Sequence, residues 1–181
     1  MIQFTLHTLK TAPAASKGLL EQASTAHPQL PNLFRTIAES PSALLAFEQL
    51  HNAFASSTLT PVEQEIVYLS VAQANACHYC TSQTGTFDKS EESRSAAEAI
   101  RAEQPIGEPK LQALRRFTTA MTTQRGWVKE AVIEDFLAAG YKPAQILEVI
   151  SGLALGTISS YTNHIAATPI DAPSVRPSLN A

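Results

Sequence analysis

Both cysteines of the 181-residue chain fall in one stretch, Cys77-His78-Tyr79-Cys80. At i and i+3 of a helix two thiols lie on one side, close enough to close into a disulfide and open again. Asn75-Ala76 reads as a break between two helices, which puts the pair in the first turn of the second. Unpaired N–H groups and the helix dipole favour a thiolate there. An ordinary thiol, with a pKa of about 8.5, is only a few per cent ionised at neutral pH, so that placement separates a reactive pair from two buried core residues. A zinc site is disfavoured: His78 shares the turn, but no second Cys/His pair supplies the remaining ligands. The βαβ patterning that surrounds a redox Cys-x-x-Cys in thioredoxins is absent.

The elements that must position this turn read as helices. Ser40-Pro41 caps a helix to about Ser56, with Leu44, Leu45, Phe47, Leu50 and Phe54 as its apolar stripe. Thr60-Pro61-Val62-Glu63 joins a cap, a proline at the first helical position and a capping-box glutamate. From Glu65 to Ala76 no further charge follows, which indicates burial on most sides. Ser90-Glu91-Glu92 opens a helix to about Arg101, Pro109 one to Thr123, and Lys129 one to Ala139, stopped by Gly140 at its C-terminal end. Pro143 starts a long helix to about Ala167, and Thr168-Pro169 ends it. Only residues 2–6 hint at a strand. The expectation is one all-α domain over residues 1–170, followed by a loosely ordered tail, 171–181.

Composition narrows the partners. With 44% hydrophobic and 16% charged residues the chain has the make-up of a globular protein. A formal charge of −3 without a Lys/Arg cluster argues against nucleic acid or anionic lipid. The start, MIQFTLHTLK, lacks the signature of a secretory signal, and the most apolar segment, residues 146–158, is too short to span a bilayer. A cytoplasmic protein with reduced thiols is expected. Residues 65–76 and 146–158 are apolar over most of their circumference, more than one small domain needs. Gly152 and Gly156 would also allow close backbone approach, so a homo-oligomer is expected.

"LTPVEQEIVYLSVAQANACHYC" resembles the helix-turn-helix core of the alkylhydroperoxidase AhpD-like and carboxymuconolactone decarboxylase family. "EVISGLALGTISSYTNHIAATPID" resembles its closing helix, and "LPNLFRTIAESPSALLAFEQL" is similar as well. The family motif is Glu, eleven residues, Cys-x-x-Cys, three residues, His. The resemblance implies that Cys80 attacks a hydroperoxide, that Cys77 resolves the sulfenic acid as a disulfide, and that Glu65 ends a proton relay. It also implies a dithiol reductant, a trimer or hexamer, and no cofactor or metal.

The departure is Thr84, where the motif has histidine. A threonine hydroxyl can donate to a thiolate but is no base at neutral pH. Tyr79 stands where some members carry a second histidine. His78 points elsewhere on the helix than Cys80 and is expected in solvent, while His164 is a further candidate that another part of the fold could bring to the site. A thiol-dependent peroxidase or disulfide reductase, slowed by the missing imidazole, is therefore expected. A non-enzymatic, redox-responsive or structural oligomer is the alternative. A lactone decarboxylase comes third, because such enzymes typically lack the cysteine pair.

Overall fold

A computed structural model describes residues 4–27, 29–83 and 85–171. Among these the order is α1 (Ala14–Ala26), α2 (Asn32–Ile37), α3 (Pro41–Ala55), α4 (Pro61–Ala74), α5 (His78–Ser82), α6 (Glu91–Arg101), α7 (Pro109–Thr123), α8 (Glu130–Ala138) and α9 (Pro143–Ala166). No strand forms among the described residues; 4–6 are irregular, and Ile2 and Gln3 lie outside them. Nor is any described helix long and apolar enough to cross a membrane.

The sequence signals set most boundaries. Ser40 caps α3 through the amide of Ala43. Thr60 and Glu63 form the reciprocal capping box of α4, and Gly140 follows α8 with φ +98°. Helices α1 and α2 were not expected, because neither has a side-chain cap of its own. The first amide of α2 is instead capped from far along the chain: Asn32 N–H donates to Asp171 Oδ1 at 2.7 Å.

Helix α4 is the axis of the molecule. Every residue from Glu63 to Ala72 is buried, and α6, α7 and α9 pack around it. Its first polar residues are satisfied: Gln64 donates to the carbonyls of Ala55 and Leu59, and Glu63 meets Lys110 Nζ at 2.8 Å, whereas the buried Ser70 hydroxyl has no partner among the described residues. Burial works to raise the Glu63 carboxyl, but Lys110 and the Thr60 amide outweigh it and hold it low.

Helix α9 behaves differently. One face, with Val149, Gly152, Leu155, Gly156, Ser159, Ser160 and Asn163, is buried. The other leaves Leu147, Ile150, Tyr161 and Ile165 in solvent. So only one of the two apolar helices is central. The glycines serve that intramolecular contact: a Cβ on Gly152 would lie 2.6 Å from Val67 Cγ1, and one on Gly156 2.7 Å from Val71 Cγ1. They bring α9 onto α4, and with it the polar residues one and two turns further along.

Candidate redox site

Ala76, with φ +53°, turns the chain sharply after α4, and Cys77 becomes the N-cap of α5. Cys77 Sγ accepts the N–H of Cys80 at 3.3 Å, the capping role a serine usually plays. Cys77 and Cys80 are joined as a disulfide, with Cα atoms 5.4 Å apart. Both are sealed from solvent, at 1% and 0% exposure. A cavity of about 460 Å³ along α7, lined by residues such as Arg115, Thr119 and Val132, includes neither sulfur.

The surroundings of Cys80 come from α4 and α9. Ser159 Oγ lies 3.3 Å from Cys80 Sγ and Asn163 Nδ2 lies 3.4 Å from it, with Ser160 Oγ further off at 3.8 Å. Tyr68 Oη reaches Ser159 Oγ at 3.0 Å, and Asn163 Nδ2 also reaches Ser159 Oγ at 3.4 Å. A disulfide sulfur carries no proton, so Ser159 donates to it. The Tyr68 phenol and the Asn163 amide then donate to Ser159. Burial pushes the Tyr68 hydroxyl up to about 12, with the Glu65 charge adding to it, so it stays a donor at all ordinary pH. Asn163 Oδ1 is buried without a partner among the described residues.

Glu65 lies one turn before Tyr68 on the same side of α4. It is 1% exposed, and its carboxylate accepts the N–H groups of Gly85 at 3.1 Å and Phe87 at 2.8 Å. Burial raises its carboxyl above the usual range, and the Phe87 and Gly85 amides offset part of that rise. The loop after the cysteines is thus tied back to α4. His51 stacks on Phe87 in that loop, ring centroids 5.1 Å apart, and burial lowers the histidine.

The other side of α5 is clasped by the segment that follows α9. Tyr79 donates to Asp171 Oδ2 at 2.7 Å and accepts the Leu33 amide at 3.1 Å; Gln83 also donates to Asp171. Burial and the Asp171 charge raise Tyr79 strongly, which keeps the phenol a donor. Asp171, placed in a loose tail on sequence grounds, is therefore anchored to α2 and α5. From α6, Arg101 donates to the carbonyls of Thr81 and Gln83.

Of the sequence candidates, then, Cys77 and Cys80 are bonded to one another and Glu65 holds the following loop. Tyr79 faces Asp171, His78 is exposed as expected, and His164 is exposed beside Tyr161. Thr84 lies outside the described residues. Tyr68, Ser159, Ser160 and Asn163 were missed. The signal for the last three was present: hydroxyl and amide residues continue the buried stripe set by Gly152 and Gly156, at helical spacing.

Residues 41–88, from the start of α3 to just past the cysteines, match the carboxymuconolactone decarboxylase family model. Most of the chain superposes on an alkylhydroperoxidase AhpD core, an uncharacterized peroxidase-related protein from Ralstonia eutropha JMP134. That match has a TM-score of 0.81 and 20% identity, and covers 93% of this chain and 92% of that one. The fold is AhpD-like. A peroxidase-related protein from Silicibacter sp. TM1040 shares the AhpD-like fold at TM-score 0.71 and 18% identity, covering 96% of this chain and 94% of that one. So does a variant of the debrominase Bmp8 in complex with 2,3,4-tribromopyrrole, at TM-score 0.75 and 16% identity, covering 95% and 92%. No curated protein sequence matches the chain. At these identities the structural likeness establishes the AhpD-like fold, and the site chemistry must be argued from the chain's own residues.

Proposed function

We propose that the chain is a thiol-dependent hydroperoxide reductase that cycles between a Cys77/Cys80 dithiol and the disulfide seen here. In the first step the Cys80 thiolate attacks the hydroxyl oxygen of ROOH. An S–O bond forms, the O–O bond breaks, and the alkoxide leaves with a proton from solvent as ROH. Cys77 then attacks the Cys80 sulfenic acid, the S–S bond forms and water departs. A dithiol reductant returns both thiols. The reaction needs no cofactor. The observation that carries the proposal is the disulfide itself, at the head of a short helix with three hydrogen-bonding side chains within reach of Cys80. Two peroxidase-related proteins among the fold neighbours support it. Glu65 contributes by fixing the 85–87 loop and by its field on Tyr68, in place of relaying through an imidazole.

Mass spectrometry of reduced protein after mild hydroperoxide treatment tests the proposal. The expected product is a loss of two hydrogens as an intramolecular disulfide, reversed by dithiothreitol. Free thiols, or sulfonic acid only, would overturn it and favour a structural oligomer. Because both sulfurs are buried, hydrogen peroxide should react faster than the bulkier cumene hydroperoxide. A thiol pair can also reduce a carbon–bromine bond, so tribromopyrrole belongs in the same assay; its exclusive consumption would move the substrate class to aryl halides.

We also propose a homo-oligomer. On α9, Leu147, Ala154 and Tyr161 recur at seven-residue spacing with Ile150 and Ile165 beside them, the seam pattern of paired helices. Leu147, Tyr161 and Ile165 are each more than three-fifths exposed. Light scattering should show no substantial monomer, and Ile165→Glu should shift the protein toward 19.5 kDa. A wild-type monomer would refute this.

A further inference from the structure

We propose that Ser159, oriented by Tyr68 and Asn163, holds reduced Cys80 as a thiolate and so replaces the histidine that this chain lacks at position 84. The inference rests on the reductase reading for its purpose but not for its test.

The hydrogen bonds run one way. Ser159 has one proton and two acceptor sites: Tyr68 and Asn163 fill the acceptor sites, which leaves its proton for Cys80 Sγ. Asn163 donates to the same sulfur with its amide. Ser159 and Ser160 are fully buried, and Asn163 and Tyr68 each 5% exposed, so water does not compete for these donors. Donors fixed in a dry site favour the charged form of the group they face. A neutral thiol uses them poorly; a thiolate uses all of them. An imidazole stabilises a neighbouring thiolate through its charge, whereas this cage does so with oriented dipoles and carries no proton that titrates near neutrality.

The titratable groups around Cys80 leave that role to the cage. On α5 these are Cys77 and Tyr79, the latter held by Asp171. On α4 they are Tyr68 and, one turn before it, Glu65, whose charge disfavours ionisation of the Tyr68 phenol. The α9 face offers only neutral side chains, and Arg101 of α6 spends its guanidinium on the carbonyls of Thr81 and Gln83. No cation contacts the sulfur among the described residues.

The test uses full-length Cys77→Ser protein, in which Cys80 is the lone thiol. Its thiolate fraction is read by ultraviolet absorbance against pH, and its alkylation rate by iodoacetamide. Ser159→Ala should lower the thiolate fraction at neutral pH roughly tenfold, the effect of losing one hydrogen bond to a charge. The alkylation rate at high pH should be unchanged. Ser159→Thr should restore the original titration, and Tyr68→Phe, which keeps the ring, should shift it in the same direction as Ser159→Ala by less. Circular dichroism confirms that each variant is folded; should Ser159→Ala fail to fold, Tyr68→Phe decides. An unchanged titration in both variants overturns the inference. Peroxide consumption is measured separately on protein with both cysteines: its absence defeats the reductase reading alone, while a shifted titration leaves the cage standing.

Discussion

Cys80→Ser should reduce hydroperoxide consumption to the uncatalysed background, while Cys77→Ser should retain one turnover and then stall. The asymmetry follows from position. Cys80 Sγ is the sulfur within reach of Ser159, Ser160 and Asn163, whereas Cys77 Sγ spends its lone pair on the Cys80 amide as an N-cap. A thiolate surrounded by donors is the better nucleophile at neutral pH; a capping sulfur one turn away is placed to close the ring. Without Cys77 the sulfenic acid has no thiol to condense with, so it should be trapped by dimedone or advance to sulfinic acid. Stability should change little in either variant, because the disulfide closes a loop of sequence separation 3, too short to restrict the unfolded chain much. Single-turnover peroxide consumption with mass spectrometry distinguishes the outcomes. Loss of the first turnover in Cys77→Ser, with Cys80→Ser active, would exchange the two roles.

Much of this architecture could be read from the sequence because it is locally encoded. The starts of α3, α4, α6, α7 and α9 each carry a proline, a hydroxyl cap or both, and the structure begins those helices at Pro41, Pro61, Glu91, Pro109 and Pro143. The cysteine turn was equally legible, since the Ala76 break and the N-cap at Cys77 are neighbours in the chain. What could not be read is what arrives from afar. Helix α2 is six residues long and is capped by Asp171, 139 positions away. The partners of Cys80 come from α9, about eighty residues downstream. There the sequence drew attention to His164, the residue with obvious acid–base chemistry. A helix turns about 100° per residue, and it is the neighbouring Asn163 that faces the sulfur while His164 is exposed. Glu65 could pass for an ordinary first-turn charge; its burial depends on α4 being surrounded, a property of the whole fold.

Gly156→Val and Gly152→Val should damage fold and site together, although most glycine replacements inside helices stabilise them. Exchanging glycine for alanine in an open helix position gains about 0.5–1 kcal/mol. Gly18 in α1 is such a position, with nothing within 4 Å of a new Cβ, and Gly18→Ala should raise the melting point slightly. At Gly152 the same Cβ would meet Val67 Cγ1 at 2.6 Å and the Phe54 ring at 2.7 Å; at Gly156 it would meet Val71 Cβ at 2.9 Å. Neither neighbour can yield, since the valines are stiff at χ1 and Phe54, Val67 and Val71 are fully buried. Helix α9 must instead withdraw from α4. Overpacking of this kind costs about 1–3 kcal/mol, which lowers the melting point of a chain this size by roughly 2–12 °C. The withdrawal also reaches the sulfur. Ser159 is three residues past Gly156 on the same face, and its bonds to Tyr68 at 3.0 Å and Cys80 at 3.3 Å have only a few tenths of an ångström to spare. Gly156→Val should therefore slow thiol alkylation at neutral pH even in protein that remains folded, whereas Gly18→Ala should leave it unchanged. Equal alkylation rates in folded Gly156→Val and wild type would show that Cys80 keeps its reactivity without the α4–α9 contact.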